Sequence, residues 1–257
     1  MRKGEIMRTI FDTHLHIIDP NFPLIKNQGF LPNPFTCKDY LEKVQDYNIK
    51  GGAIVSGSFQ GFDQTYLIDS LQKLGQNYVG VTQLPHDTSD DEILKLNSYG
   101  VRAIRFNVKR GGSEDLSHLE YFARRVHELV GWHAELYIDS TFLPQIASTL
   151  SSLPAVSVDH LGLSKEGFKH LLSLVDKGIR VKATGFGRVE LDVAQAIRSI
   201  YSVNPDALMF GTDLPSTRAK RPYHDSDIEL IYNTLDEEQR EKVLYKNAVN
   251  WYLKQDF

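Results

Sequence analysis

Phe11-Asp12-Thr13-His14-Leu15-His16 closes a short apolar run with two histidines in alternate positions. Side chains alternate faces along a strand, so His14 and His16 are expected to point the same way, and Asp12 with them. Two imidazoles a few ångströms apart at a strand end can share a metal ion or jointly polarise a substrate carbonyl. A pair of hydrogen-bonded core histidines would leave the same short pattern, so the weight falls on what else the chain brings to that place.

Outward from this segment, eight short apolar segments alternate with longer ones of helical period, the pattern of a parallel sheet with crossover helices. The strands are predicted at Thr9–His14, Gly52–Ser56, Tyr78–Gln83, Arg102–Phe106, Ala134–Ile138, Ala155–His160, Arg180–Thr184 and Ala207–Gly211. Eight such units predict a closed (β/α)8 TIM barrel, and 257 residues suit one domain of that size, covering 1–257. Leu116, Leu119, Phe122, Ala123, Val126, Leu129 and Val130 mark the apolar face of one helix, which Gly131 is expected to end. Asp236 with Gln239 makes a capping-box start to the last helix, with Val243, Leu244, Ala248 and Leu253 on its apolar face.

Composition excludes several classes. With 41% hydrophobic and 24% charged residues the chain reads as an ordinary soluble globule, and no apolar run approaches the roughly 20 residues that cross a bilayer. A net charge of -4 without a basic stripe gives nucleic acid or acidic membranes no electrostatic hold. The lone cysteine, Cys37, rules out an internal disulfide and a cysteine-based zinc site. Met1-Arg2-Lys3-Gly4-Glu5 runs directly into the first strand with no secretory signal, so a cytoplasmic location is expected. Oligomeric state is not legible.

Two connections exceed what a barrel needs, and both follow a strand, on the C-terminal face where barrel enzymes do their chemistry. The first, Asp19 to Phe35, holds Pro20, Pro23, Pro32 and Pro34 and reads as a stiff flap over the mouth; the second, Leu214 to Asp225, holds Arg218, Lys220 and Arg221 and reads as a solvated connection. The barrel also gathers His14, His16, His160 and Asp213 at one mouth. Three imidazoles and a carboxylate suit activation of water for attack on a carbonyl, with Asp213 as base and the histidines holding the oxyanion.

Asp12-Thr13-His14-Leu15-His16, Val158-Asp159-His160-Leu161-Gly162 and Phe210-Gly211-Thr212-Asp213-Leu214-Pro215 resemble the signatures of the amidohydrolase superfamily. Within it they resemble the amidohydrolase-2 branch of 2-pyrone-4,6-dicarboxylate and sugar lactonases. Gly100 to Asn107 and Asn247 to Tyr252 are also similar to family segments, so the resemblance covers most of the chain. It implies a distorted barrel hydrolase acting on a ring ester or amide, or on a carboxylated substrate by decarboxylation.

Guanidinium forks bind carboxylates bidentately, so arginines at the mouth point to a small anionic substrate. The resemblance puts Arg105, Arg110 and Arg188 in the positions of the lactonases' carboxylate-binding arginines, and Tyr137 in that of a substrate-binding tyrosine. Two departures stand out. The segment from Arg105 to Arg110 is one residue shorter than its counterpart, which lets Lys109 stand in for Arg110, and Leu163 replaces a further arginine. The second favours a substrate with fewer carboxylates, or a different shape, than the pyrone dicarboxylate.

Metal-dependent members of the superfamily place a lysine or histidine on the middle strands, where this chain offers Tyr137. No cofactor is therefore required by the reading, and a divalent ion (zinc or manganese) would have to sit among His14, His16 and Asp213. His133 starts the fifth strand, toward the opposite face, and is read as structural; His86, His118, His127, His170 and His224 are read as surface or packing residues. Glu135 and Lys182 share the inward phase of strands five and seven and are expected to pair, since either charge buried alone is costly. The nearest rival is a metal-dependent amidohydrolase or decarboxylase on the same barrel. A TatD-like nuclease would need a metal-binding glutamate at a middle strand end, and a pure metabolite binder would have no use for Asp213.

Overall fold

The computed structural model describes residues 9–253, so the reading of Met1 to Glu5 lies outside the described residues. Eight strands form one parallel sheet in sequence order: β1 Ile10–Leu15, β2 Ile49–Val55, β3 Tyr78–Thr82, β4 Val101–Phe106, β5 His133–Leu136, β6 Val156–Val158, β7 Arg180–Ala183 and β8 Leu208–Phe210. Helices cross between them, as in a (β/α)8 barrel. No helix among the described residues is long and apolar enough to cross a membrane.

Inside the barrel a layer of apolar side chains (Phe11, Ala53, Val55, Val79, Val81, Ala103, Met209) is capped by Ala248 and Tyr252 of the last helix, with the Phe11 and Tyr252 rings stacked at 5.7 Å. The helix Leu119–Val130 buries Leu119, Phe122, Ala123, Val126 and Val130 and stops at Gly131, whose φ of 71° only glycine adopts without strain. Asp236 and Gln239 form the expected capping box, but the last helix then relaxes into a π-helical turn over Lys242–Lys246 and ends with Leu253 exposed.

The barrel closes differently from its other seams. Between β8 and β1 a single bridge pairs Leu15 with Leu214, joined by backbone bonds from Asp213 to His14 and from His16 to Leu214. Asp12 does the rest: its buried carboxylate accepts from the Thr212 amide (2.8 Å), the Thr212 hydroxyl (2.7 Å) and the Tyr40 hydroxyl (3.1 Å). Burial outweighs these donors and raises its pKa to about 6.

Here the sequence reading needs correction. Asp12 pairs with Gly52 and Leu15 with Ile54, so β1 spends one residue more than β2 over this stretch. That bulge flips the phase between Asp12 and His14. Asp12 turns outward to Tyr40 on the helix Cys37–Lys43, while His14 and His16 both turn inward.

Candidate active site

His14 crosses the barrel interior. Its Nδ1 lies 3.4 Å from Asp159 Oδ1 and its Nε2 3.9 Å from Asp213 Oδ1, and burial holds its pKa well below the ordinary imidazole value. His16 has Nδ1 2.7 Å from the Val55 carbonyl oxygen, so that nitrogen donates, and the lone pair on Nε2 faces Asp213 Oδ1 at 3.7 Å. His160 stands 4.8 Å from the His14 ring and 4.9 Å from the Tyr137 ring, and burial, against the pull of the Asp213 carboxylate, lowers its pKa to about 4. The four expected residues therefore converge, and His14 and His160 are neutral near pH 7.

The backbone delivering them is strained. β6 stops at Val158, short of the predicted His160, because His160, Leu161 and Leu163 take φ values of 51°, 51° and 67°. Asp213, Ser216 and Arg218 are also left-handed, at 62°, 64° and 60°. Such conformations cost of order 1–3 kcal/mol each and gather at functional sites. Gly185 makes the close fit feasible: a Cβ there would lie 2.6 Å from His160 Nδ1 and 3.1 Å from Asp213 Oδ2.

Asp213 is fully buried, and burial alone would raise its pKa. The Arg188 guanidinium instead holds the carboxyl well below the usual range. Arg188 grips it through Nε–Oδ2 at 2.6 Å and Nη2–Oδ1 at 3.2 Å. A substrate carboxylate must share Arg188 with Asp213 or draw it away.

The mouth is a cavity lined by His16, His160, Arg105, Arg110, Tyr137 and Arg188, together with Phe30 from the flap and Arg218 from the loop after β8. At about 30 Å³ it has room for water rather than a lactone ring. Phe30 and Arg218 form its outer wall, with the Arg218 guanidinium 4.4 Å from the Phe30 ring. The flap thus lies over the mouth as expected, and Arg218, read as solvated, is part of the wall. A second cavity of about 170 Å³ shares Arg110, Tyr137, Arg188 and Arg218 and adds Lys109 and Leu163. Arg110 keeps its place on the central wall, whereas Lys109 pairs with Asp139 at 3.1 Å.

Arg105 is braced as well as placed, donating to Asp159 Oδ2 (2.7 Å) and to the Ser56 carbonyl (2.6 Å). Asp159, which the sequence reading left without a role, thus sets Arg105 and lies beside His14 Nδ1; its position beside His160 at a strand end was the available signal. Deeper, Lys182 Nζ meets Glu135 Oε2 at 2.6 Å and donates to the Thr13 carbonyl at 2.8 Å, the expected interior pair. His133 accepts from Trp251 Nε1 at 3.1 Å, away from the mouth, as a structural residue.

The sequence profile described as amidohydrolase matches residues 11–253. The chain belongs to this family. It is 24% identical over 262 residues to a 4-sulfomuconolactone hydrolase of Hydrogenophaga intermedia, covering 92% of this chain and 86% of that protein. It is 26% identical over 275 residues to a 2-pyrone-4,6-dicarboxylate hydrolase of Comamonas testosteroni, covering 94% and 89%. Among solved structures, a probable 2-pyrone-4,6-dicarboxylic acid hydrolase from Acinetobacter baumannii with citric acid bound superposes with a TM-score of 0.83 at 22% identity, over 95% of this chain and 98% of that one. The fold is shared, and the family membership makes this amidohydrolase a hydrolase.

The donor set also fits a divalent ion. His14 has no hydrogen-bond partner at either nitrogen, His16 turns a lone pair inward, and His14, His160 and Asp213 offer ligand atoms within 4.8 Å of one another. An ion there would polarise a carbonyl and acidify a bound water.

Proposed function

We propose that this amidohydrolase opens a small carboxylated lactone by attack of water on the ring carbonyl. The observation behind the reading is the buried carboxylate Asp213, ionised at neutral pH, set beneath a mouth walled by Arg105, Arg110 and Arg188. Its relatives' names supply the substrate class, lactones bearing sulfonate or carboxylate groups.

In this proposal Asp213 takes the proton of the attacking water, which His16 orients by accepting through Nε2. With its Nδ1–H committed to the Val55 carbonyl, His16 serves the water in this reading and leaves the oxyanion to its neighbours. The task falls to the Tyr137 hydroxyl, held against the His160 ring, and to the guanidiniums around it. Arg105, Arg110 and Arg188 orient the anionic substrate, and the substrate's hold on Arg188 frees Asp213 to act. Leu163, on the wall of the second cavity, favours a substrate with fewer carboxylates than the pyrone dicarboxylate.

The second reading, metal-dependent hydrolysis or decarboxylation, is favoured by the inward lone pair of His16, with His14, His16, His160 and Asp213 as the holders. The test is a panel of sugar lactones, muconolactones and carboxylated pyrones followed by acid release, with the metal content of the purified protein measured alongside. Turnover confined to carboxylated lactones supports the proposal. Carbon dioxide release without ring opening, or no turnover of any ring ester, refutes it.

A further inference from the structure

The loops after β3 and β4 meet in a second convergence of ligand-type side chains, none of which lines either cavity at the mouth. His86, just after β3, and His118, in the 3-10 turn Leu116–His118, each direct Nδ1 at the carboxylate of Glu114, at 2.9 Å to Oε2 and 2.9 Å to Oε1 respectively. The two rings stack at 3.6 Å with 25° between their planes, which holds both Nδ1 atoms on one side. The three ligand atoms lie within 4.8 Å of one another.

The carboxylate is fixed from behind. The His86 amide donates to Oε2 and the Asp115 amide to Oε1, both at 2.6 Å. Partial burial would raise the pKa of Glu114, but these amides and the two imidazoles outweigh it and bring it down to about 2. The histidine side chains are 37% and 40% exposed, so their Nε2 atoms have water within reach and a further ligand can enter from solvent.

We propose that His86, Glu114 and His118 form a zinc-binding site, separate from the cluster at the mouth, that ties the β3 loop to the β4 loop. Two imidazole nitrogens, one carboxylate oxygen and a water make a tetrahedral set that suits zinc. In the bound state each ring presents its Nδ1 lone pair to the ion and carries its proton on the solvent-facing Nε2. Glu114 supplies the single negative charge. Because the β4 loop also contains Asn107 and Arg110, both on the wall of the mouth, an ion here would stiffen the substrate-binding wall without touching substrate.

The test titrates the whole chain with zinc chloride by calorimetry. A His14→Ala/Asp213→Asn background takes ligands from both inner groups, His14 with His160 and Asp213 and His14 with Glu135 and Asp159, so a remaining equivalent reports the outer site. The background protein is expected to bind one zinc. Adding His118→Ala, or separately His86→Ala, should weaken it at least about a hundredfold, above the tenfold to hundredfold typical of outer-shell changes. Thermal unfolding without zinc shows whether each variant is folded, and the two histidine variants serve as alternates. X-ray absorption of the zinc-loaded background protein should show two imidazoles. No zinc bound by the background protein, or binding unchanged in the folded histidine variants, overturns the proposal.

Discussion

Replacing Lys182 by Met strips the interior of the cation that neutralises Glu135. Both side chains are fully buried and in contact at 2.6 Å. Once Lys182 is gone, Glu135 keeps the Tyr252 hydroxyl at 3.3 Å and, farther off, His133 Nε2 at 3.8 Å and His14 Nδ1 at 3.9 Å, its Oε1 already lacks a hydrogen-bond partner, and the Thr13 carbonyl loses its donor. Removing one partner of a buried pair costs about 3–5 kcal/mol. For a chain of this length, at about 2–4 °C per kcal/mol, Tm should fall by roughly 6–20 °C. Adding Glu135→Gln removes the stranded charge and should recover about 1–3 kcal/mol, the coupling usual for contacting residues. Urea unfolding at pH 7, followed in parallel by tryptophan fluorescence and circular dichroism, measures both variants. A loss under about 1 kcal/mol, or a double variant no more stable than Lys182→Met, would refute the claim that the pair neutralises the barrel interior.

Arg188→Met should raise KM for carboxylated lactones more than for neutral ones; it also removes the guanidinium that holds Asp213 down, so the acid limb of kcat/KM should move to higher pH, and equal KM changes on both substrate classes would contradict the clamp. Gly185→Ala places a Cβ 2.6 Å from His160 Nδ1, so kcat should drop on the order of a hundredfold through misplacement of the ring while circular dichroism shows the fold retained; normal kcat would mean His160 is not critically placed. Asp12 binds its proton up to about pH 6 when folded, against 3.8 ordinarily, so its contribution is fully present below pH 3.8 and is lost as pH rises through 6. Asp12→Asn removes that dependence: its stability relative to the parent should improve by about 3 kcal/mol from pH 3.5 to pH 7, and a difference independent of pH would contradict the burial argument.

Strand number, order and direction were legible because apolar runs and helical periods alternate along the chain, and His14, His16, His160 and Asp213 follow from those strand ends. What hid was local backbone geometry. The extra residue between Asp12 and Leu15 breaks the period-two rule that put Asp12 beside His14, and the left-handed turn at His160 to Leu163 cuts β6 short. Neither leaves a compositional mark. Arg218 was misread because its role depends on the flap folding back to place Phe30 beneath it, a contact between residues 188 apart in sequence. The tautomer of His16 was equally invisible, since it is set by a carbonyl on the neighbouring strand.

The account stands most directly on Asp213 as the base. Steady-state kinetics of Asp213→Asn on a carboxylated lactone, with metal content matched to the parent, should show kcat lowered at least about a hundredfold and KM not raised. A kcat within about tenfold of the parent would contradict it.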